Sequence, residues 1–201
     1  MKKNTSKKRT KSDITKIKKV LIIICIVLTT ILTMFLFLAN KPTDEELIDD
    51  VSKYKTHDSY NKLFSINAPG TWKPVEVRNS LNKNAIIELE NEDKNSYLVV
   101  VVNNKKDLNE NFNTYKTKVF SQKESYYKTK ISSYHNVVIN GYNAQYGIIY
   151  YTNENNINTY IRSYAIETKN YYGQIVIWTL ASNENSSEKE FDNIINSFKE
   201  K

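Results

Sequence analysis

The stretch Phe64–Lys73, FSINAPGTWK, decides how this chain is built. Phe64, Ile66 and Ala68 alternate with polar residues, which is the pattern of a strand with one apolar face. Pro69-Gly70 then stops the strand, and a tryptophan follows at once. The chain holds three prolines, four glycines and two tryptophans, so the combination is not a product of abundance. A strand, a sharp break and a bulky anchor in that order predict a sheet whose edge is sealed by Trp72 beneath a helix. A tryptophan that stacks on a ligand is the alternative, but a lone one in a strand context is more often core.

Toward the C-terminus the signals continue. NAIIELE and YLVVVV flank the polar turn NEDKNS and read as a hairpin; valines 99–102 have no polar face, which predicts a strand covered on both sides. DLNENFNTYKTKVFSQKESYY takes up helical spacing, with Asp107 and Glu110 as a capping box and Leu108, Phe112, Tyr115 and Val119 on one stripe. Asn140-Gly141 predicts a two-residue hairpin turn. INTYIRSYAIE and YYGQIVIWTLA are two further strands, antiparallel because their connections are short. Ser187 with Glu190 is read as the cap of a last helix, whose Phe191, Ile194, Ile195 and Phe198 point to one side. The expected fold class is α+β, an antiparallel sheet flanked by helices.

Toward the N-terminus the chemistry changes. Residues 1–19 carry nine Lys or Arg against Asp13 alone, and the rest of the chain sums to −1 out of a total of +7. The basicity belongs to a tail, so the folded part has no footprint for nucleic acid. Val20–Ala39, VLIIICIVLTTILTMFLFLA, is twenty residues without a charge. As a helix it spans about 30 Å, the thickness of a bilayer core. A cleavable signal has a shorter apolar core and a small-x-small site; here bulky Phe37 stands two before Ala39. The reading is a retained signal anchor in the cell membrane. The basic tail would lie in the cytoplasm against the anionic inner leaflet, and the C-terminal domain would lie outside. Pro42 ends that span, and TDEELIDDVSKY, from Thr43, reads as a capped helix. The boundaries expected are a tail over 1–19, an anchor over 20–39, a juxtamembrane linker and helix over 40–59, and the extracytoplasmic domain over 60–201. Abundant Lys, Asn, Ile and Tyr with three Arg point to a low-GC bacterium. The one cysteine, Cys25, falls in the anchor, so the outer domain has no disulfide and no thiolate site.

Together, FSINAPGTWK, the hairpin followed by DLNENFNTY, the turn INGYNA and the ending YYGQIVIWT…FDNIINSFK resemble the PsbP-like family, over about residues 60–200. The resemblance implies an α/β/α sandwich around an antiparallel sheet. The family's best-known member is a photosystem II accessory protein of chloroplasts and cyanobacteria, and its bacterial relatives are mostly secreted or lipid-anchored. This chain departs in having a transmembrane anchor, and nothing in it suggests photosynthesis.

No constellation for catalysis stands out. His57-Asp58-Ser59 has the letters of a triad, but neighbouring side chains point apart; a capped loop before the first strand is expected there. His135 has no second histidine nearby and no cysteine available, which argues against zinc. Glu88 and Glu90 alternate with Ile87 and Leu89 and read as the wet face of a strand, and ENEDKN offers oxygen ligands but no glycine for the tight loop that calcium needs. No glycine-rich phosphate loop is present, and neither a cofactor nor an enzymatic activity is expected. What remains is tyrosine: all fifteen lie beyond residue 53. Tyr142, Tyr146 and Tyr150 share one strand face, and Tyr160, Arg162 and Tyr164 share another. Packing under a helix is the bland reading, while Tyr and Arg are also the residues enriched at binding hot spots. Tyr160, Arg162 and Tyr164 are therefore the expected binding residues, accessible in part to a protein partner. The expected function is a membrane-anchored binding or assembly module of a bacterial envelope, without enzymatic activity. The alternative is a scaffold subunit of a type IV secretion or conjugation apparatus.

Overall fold

The computed structural model describes residues 53–201. The basic tail, the apolar stretch and nearly all of the helix expected from Thr43 lie outside the described residues. Tyr54, read as the end of that helix, instead opens a strand.

Ten strands and two α-helices are described. β1 is Tyr54–Asp58, β2 Phe64–Pro69, β3 Lys73–Pro74, β4 Ile87–Asn91 and β5 Ser96–Asn104. Helix α1 is Phe112–Tyr127. β6 is Ser133–Ile139, β7 Tyr142–Thr152, β8 Asn158–Glu167 and β9 Tyr171–Leu180, before helix α2, Glu184–Asn196, and the short β10, Lys199–Glu200. The seven-stranded sheet runs β3-β4-β5-β9-β8-β7-β6, antiparallel throughout; β1-β2-β10 form a second, smaller sheet.

Strand parity divides the core in two. On one face Leu89, Leu98, Val100, Tyr160, Tyr164, Ile166, Ile175 and Ile177 pack against β2 and against Phe191, Ile194, Ile195 and Phe198, so the last helix lies where its apolar spacing placed it. On the other face Ile149, Ile161, Ala165, Tyr172 and Val176 meet Tyr115, Val119 and Phe120 of α1. The α+β class and the layered arrangement follow, with one outer layer shared between α2 and the small sheet.

The stretch Phe64–Lys73 behaves as its pattern predicts. Phe64, Ile66 and Ala68 are buried, and Trp72, 1% exposed, meets Phe191 edge-on at 6.3 Å. Phe64 stacks on Phe198 at 5.7 Å. The Asn140-Gly141 turn takes positive φ at both residues (47° and 85°), the mirror-image turn whose twist matches the strands it joins.

Four local readings are corrected. His57 and Asp58 are in β1, paired with Ile66 and Ser65, rather than in a loop; the β2 backbone supplies the partners that the short sequence signal does not reveal. The cap of α1 is Asn111, which accepts from the Thr114 amide at 3.0 Å, because Lys105–Asp107 closes a separate 3-10 turn. Helix α2 starts three residues before Ser187, which is buried inside it, while Glu190 is engaged by Trp72 and Lys94. Glu88 is buried, not wet. Its Oε2 accepts from the Asn79 amide at 2.5 Å, and its Oε1 accepts from the Leu81 and Asn82 amides at 2.9 and 3.0 Å.

Candidate functional site

The residues expected to bind a partner are brought together but not left open. Tyr160, Arg162 and Tyr164 share one face of β8, with Tyr146 and Tyr150 opposite Tyr164 and Tyr160 on β7. The rings pack at 4.9 Å (Tyr146–Tyr164) and 5.7 Å (Tyr150–Tyr160). Tyr160 and Tyr164 belong to the core beneath α2, and Arg162 is 4% exposed. This corrects the expectation of an accessible patch. The physical reason lies on α2: Glu188 and Asp192, four residues apart, present two carboxylates to one guanidinium. Nη2 of Arg162 donates to Glu188 Oε1 at 2.8 Å, Nη1 to Asp192 Oδ1 at 2.6 Å, and Nε to the Tyr160 hydroxyl at 2.5 Å. Both carboxylates remain half exposed, so the ion pairs seal the rim over the arginine. The forked donor is thereby used by the fold itself. Burial pushes the Tyr164 hydroxyl well above the usual tyrosine range, and the hydrogen bond to Glu184 pushes exposed Tyr150 up to about 12.

The open concavity is on the opposite face. Helix α1 crosses the β7-β8-β9 side of the sheet, and beside it a groove of about 630 Å³ is left over β5 and β9. Val99 and Val101 of β5 and Val176 and Trp178 of β9 make its floor. Tyr115, Val119, Lys123 and Tyr126 of α1 form one wall, and Leu81, Asn82 and Asn84 form the other. The four valines read as doubly covered are thus covered unequally: Val100 is core under α2, while Val101 faces the groove half-buried.

Each wall has a defined cause. The loop 79–82 belongs to no strand, and the buried Glu88 carboxylate accepts from the Asn79, Leu81 and Asn82 amides while that of Ser80 donates to the Val77 carbonyl, which holds Leu81 and Asn82 at the groove. On α1, Tyr115 stacks on Tyr172 at 5.0 Å, and its hydroxyl accepts from Asn103 Nδ2 at 3.2 Å; burial pushes it above the usual tyrosine range. Trp178 is held flat against Tyr97, with ring centroids 5.3 Å apart. Lys118, at the rim, pairs with Glu110. Lys123 is different. It is half-buried, burial holds its amine below the usual lysine range, and among the described residues its ammonium has no hydrogen-bond or ion-pair partner. The groove thus offers an aliphatic and aromatic floor, carboxamides at the rim and one under-solvated cation.

Val99, Val101, Tyr115 and Val119 are named from the sequence as core positions, and Lys123 is not singled out, although a signal for it exists. Lys123 stands four residues after Val119, on the continuation of the apolar stripe of α1, where a charged residue is out of place. Nothing local marks Trp178 as a groove residue or Glu88 as the support of a groove wall, since both alternate normally in their strands.

The remaining polar residues do not converge. His57 and His135 lie in different sheets, and Glu88 and Glu90 have separate surroundings. Among the described residues no group of three or more His, Cys, Asp or Glu is placed to hold a metal ion, and no helix is long and apolar enough to cross a membrane.

No protein-family model matches the chain, and no curated protein matches it in sequence. Solved structures do. The solution structure of the cyanobacterial PsbP (CyanoP) of Synechocystis sp. PCC 6803 matches with a TM-score of 0.57 at 9% identity, covering 74% of this chain and 93% of that one. A crystal structure from Bacteroides thetaiotaomicron VPI-5482 matches with a TM-score of 0.53 at 16% identity over 74% of this chain, which spans about half (49%) of its length. LpqN of Mycobacterium tuberculosis, described as involved in cell envelope biogenesis, matches with a TM-score of 0.47 at 9% identity over 79% of this chain and 97% of LpqN. The sheet order, the helix on either face and the agreement with CyanoP over nearly its whole length identify the fold of this chain as PsbP-like.

Proposed function

We propose that this protein is an extracytoplasmic binding module, held on a bacterial membrane by its N-terminal apolar stretch, and that the groove beside α1 receives its partner. The observation that carries the reading is the uncovered floor of Val101 and Trp178 with the unpaired Lys123 at its side. An aliphatic and aromatic floor gains free energy when covered, and a half-buried ammonium gains when a partner supplies an anionic group. Ligand sites combine these two features, an apolar concavity and a few convergent polar groups. Anchoring is supported by the twenty uncharged residues that follow nine basic ones. Its role is read as recognising and positioning a partner, with the forked donor of Arg162 committed to α2 and not to the groove.

In-cell photo-crosslinking tests this reading on the full chain. A photoreactive residue at Val101 should capture a discrete partner, and one at Asn155, in the exposed β7–β8 loop outside the groove lining, should not. Equal capture at both positions, or none at Val101, would refute the groove as the site.

A further inference from the structure

We propose that β6 is a self-pairing edge, through which two copies of this chain join their seven-stranded sheets across a two-fold axis. The other sheet edges are protected in recognisable ways. β3 has two residues, one of them Pro74; β10 also has two; β1 carries Lys55. β6, Ser133–Ile139, has seven residues, SYHNVVI, with no proline, lysine, arginine or carboxylate, and among the described residues no strand pairs with its far side. The two-residue turn after it makes Ile139 and Tyr142 a hydrogen-bonded pair. Bonding alternates from there, so the backbone groups of Tyr134, Asn136 and Val138 face away from β7, outward and available.

The occupant that fits this edge is the same strand running antiparallel. With the two-fold axis at Asn136, the outward backbone of Asn136 pairs with that of its copy, and Tyr134 pairs with Val138 of its copy in both directions. Tyr134 is 50% exposed and Val138 65%, both on the α1 side of the sheet, so each pairing covers an exposed aromatic with an exposed β-branched residue, a favourable cross-strand combination. Strand β6 carries no lysine, arginine or carboxylate to oppose its own copy. The Asn136 side chain is held back along the sheet by Gln145 Nε2, which donates to its Oδ1 at 2.8 Å, and does not obstruct the edge. Hollows of about 450 and 370 Å³ lie on the two faces of β6, one with Phe112 and Lys116, the other with Tyr146 and Ile195, leaving room for the side chains of an added strand. The same patch meets the same patch, as a two-fold interface requires.

The test uses the full chain in membranes, with Cys25→Ser to remove the native thiol. Asn136→Cys places two thiols across the axis, within the Cα separation a disulfide spans. Mild oxidation should link it into dimers, and Asn143→Cys, exposed on β7 away from the edge, should stay monomeric. In sedimentation of the detergent-solubilised chain, Asn136→Pro removes the outward amide along with the Gln145 contact and should yield monomers. Val138→Lys should weaken the dimer about tenfold or more. Both variants should keep the parent's circular dichroism, and Val138→Lys serves if the proline disturbs it. A parent chain that sediments as a monomer, or crosslinking at Asn136 no greater than at Asn143, would overturn the proposal.

Discussion

The indole N–H of Trp72 donates to Oε1 of Glu190 at 2.8 Å, tying together residues 118 positions apart. The other oxygen of the same carboxylate accepts from Lys94 Nζ at 2.5 Å, so α2 is pinned both to the strand-end tryptophan and to the β4–β5 turn. Trp72→Ala removes the ring from the Phe191 contact and leaves a cavity, and should cost about 3–5 kcal/mol. Trp72→Phe keeps most of the packing but orphans the Glu190 oxygen, and should cost less. Denaturant unfolding of the two variants against the parent checks the order; a near-neutral Trp72→Ala would remove the tryptophan from the core.

Arg162→Ala should lower stability and leave partner capture in the groove intact. Breaking a buried ion pair costs about 3–5 kcal/mol. Here the loss should fall below that range, because Glu188 and Asp192 are half exposed and regain water once the arginine is gone. The check is melting temperature together with crosslinking from Val101. Reduced capture at unchanged stability would restore Arg162 to a binding role.

Glu88→Gln should loosen the loop 79–82. Glutamine offers one acceptor oxygen and an NH2 group that only donates, and whichever way its amide turns, an N–H meets the amide of Asn79 or those of Leu81 and Asn82. A loss of about 1–3 kcal/mol is expected. Hydrogen exchange at 79–82 should accelerate selectively; unchanged protection there would show that the loop holds without the carboxylate.

His57 gives a pH dependence with a fixed sign. Burial, and secondarily Lys55, lower its pKa from the ordinary 6.5, and Nε2 is buried without a partner. Below pH 6.5 the unfolded chain therefore binds more protons at this residue than the folded one. Its contribution is fully present above pH 6.5 and is lost as pH falls through 6.5 toward the lowered folded value. Comparing the parent with His57→Gln between pH 7.5 and 5.5 isolates the effect: the parent should lose more stability. Equal losses would mean that the imidazole is protonated in the fold without cost.

The fold was largely legible because its signals are local and mutually consistent. Asn140-Gly141 can make few other turns, Phe191, Ile194, Ile195 and Phe198 leave α2 one face to bury, and the break after Ala68 with Trp72 behind it requires a covered sheet end. The site was not legible, because it depends on what folds back over a strand. Ile87-Glu88-Leu89-Glu90 alternates like any half-wet strand, and only the return of loop 79–82 buries Glu88. Arg162 stood out as a rare arginine among tyrosines, but its partners are twenty-six and thirty residues away on α2. Lys123 breaks the apolar stripe of α1, but only the placement of α1 beside β5 and β9 puts it at a groove.

The most direct test of the account is labelling by a membrane-impermeant maleimide, with Cys25→Ser and one new cysteine at a time. Gln174→Cys lies on the groove, and Asn155→Cys lies in the exposed β7–β8 loop. On intact cells with an accessible membrane surface, Asn155→Cys should label fully. Gln174→Cys should be protected in cells and become reactive once the chain is purified away from its partner. Absence of labelling at Asn155 in cells would contradict the extracytoplasmic placement, and equal reactivity of Gln174 in cells and after purification would contradict an occupied groove.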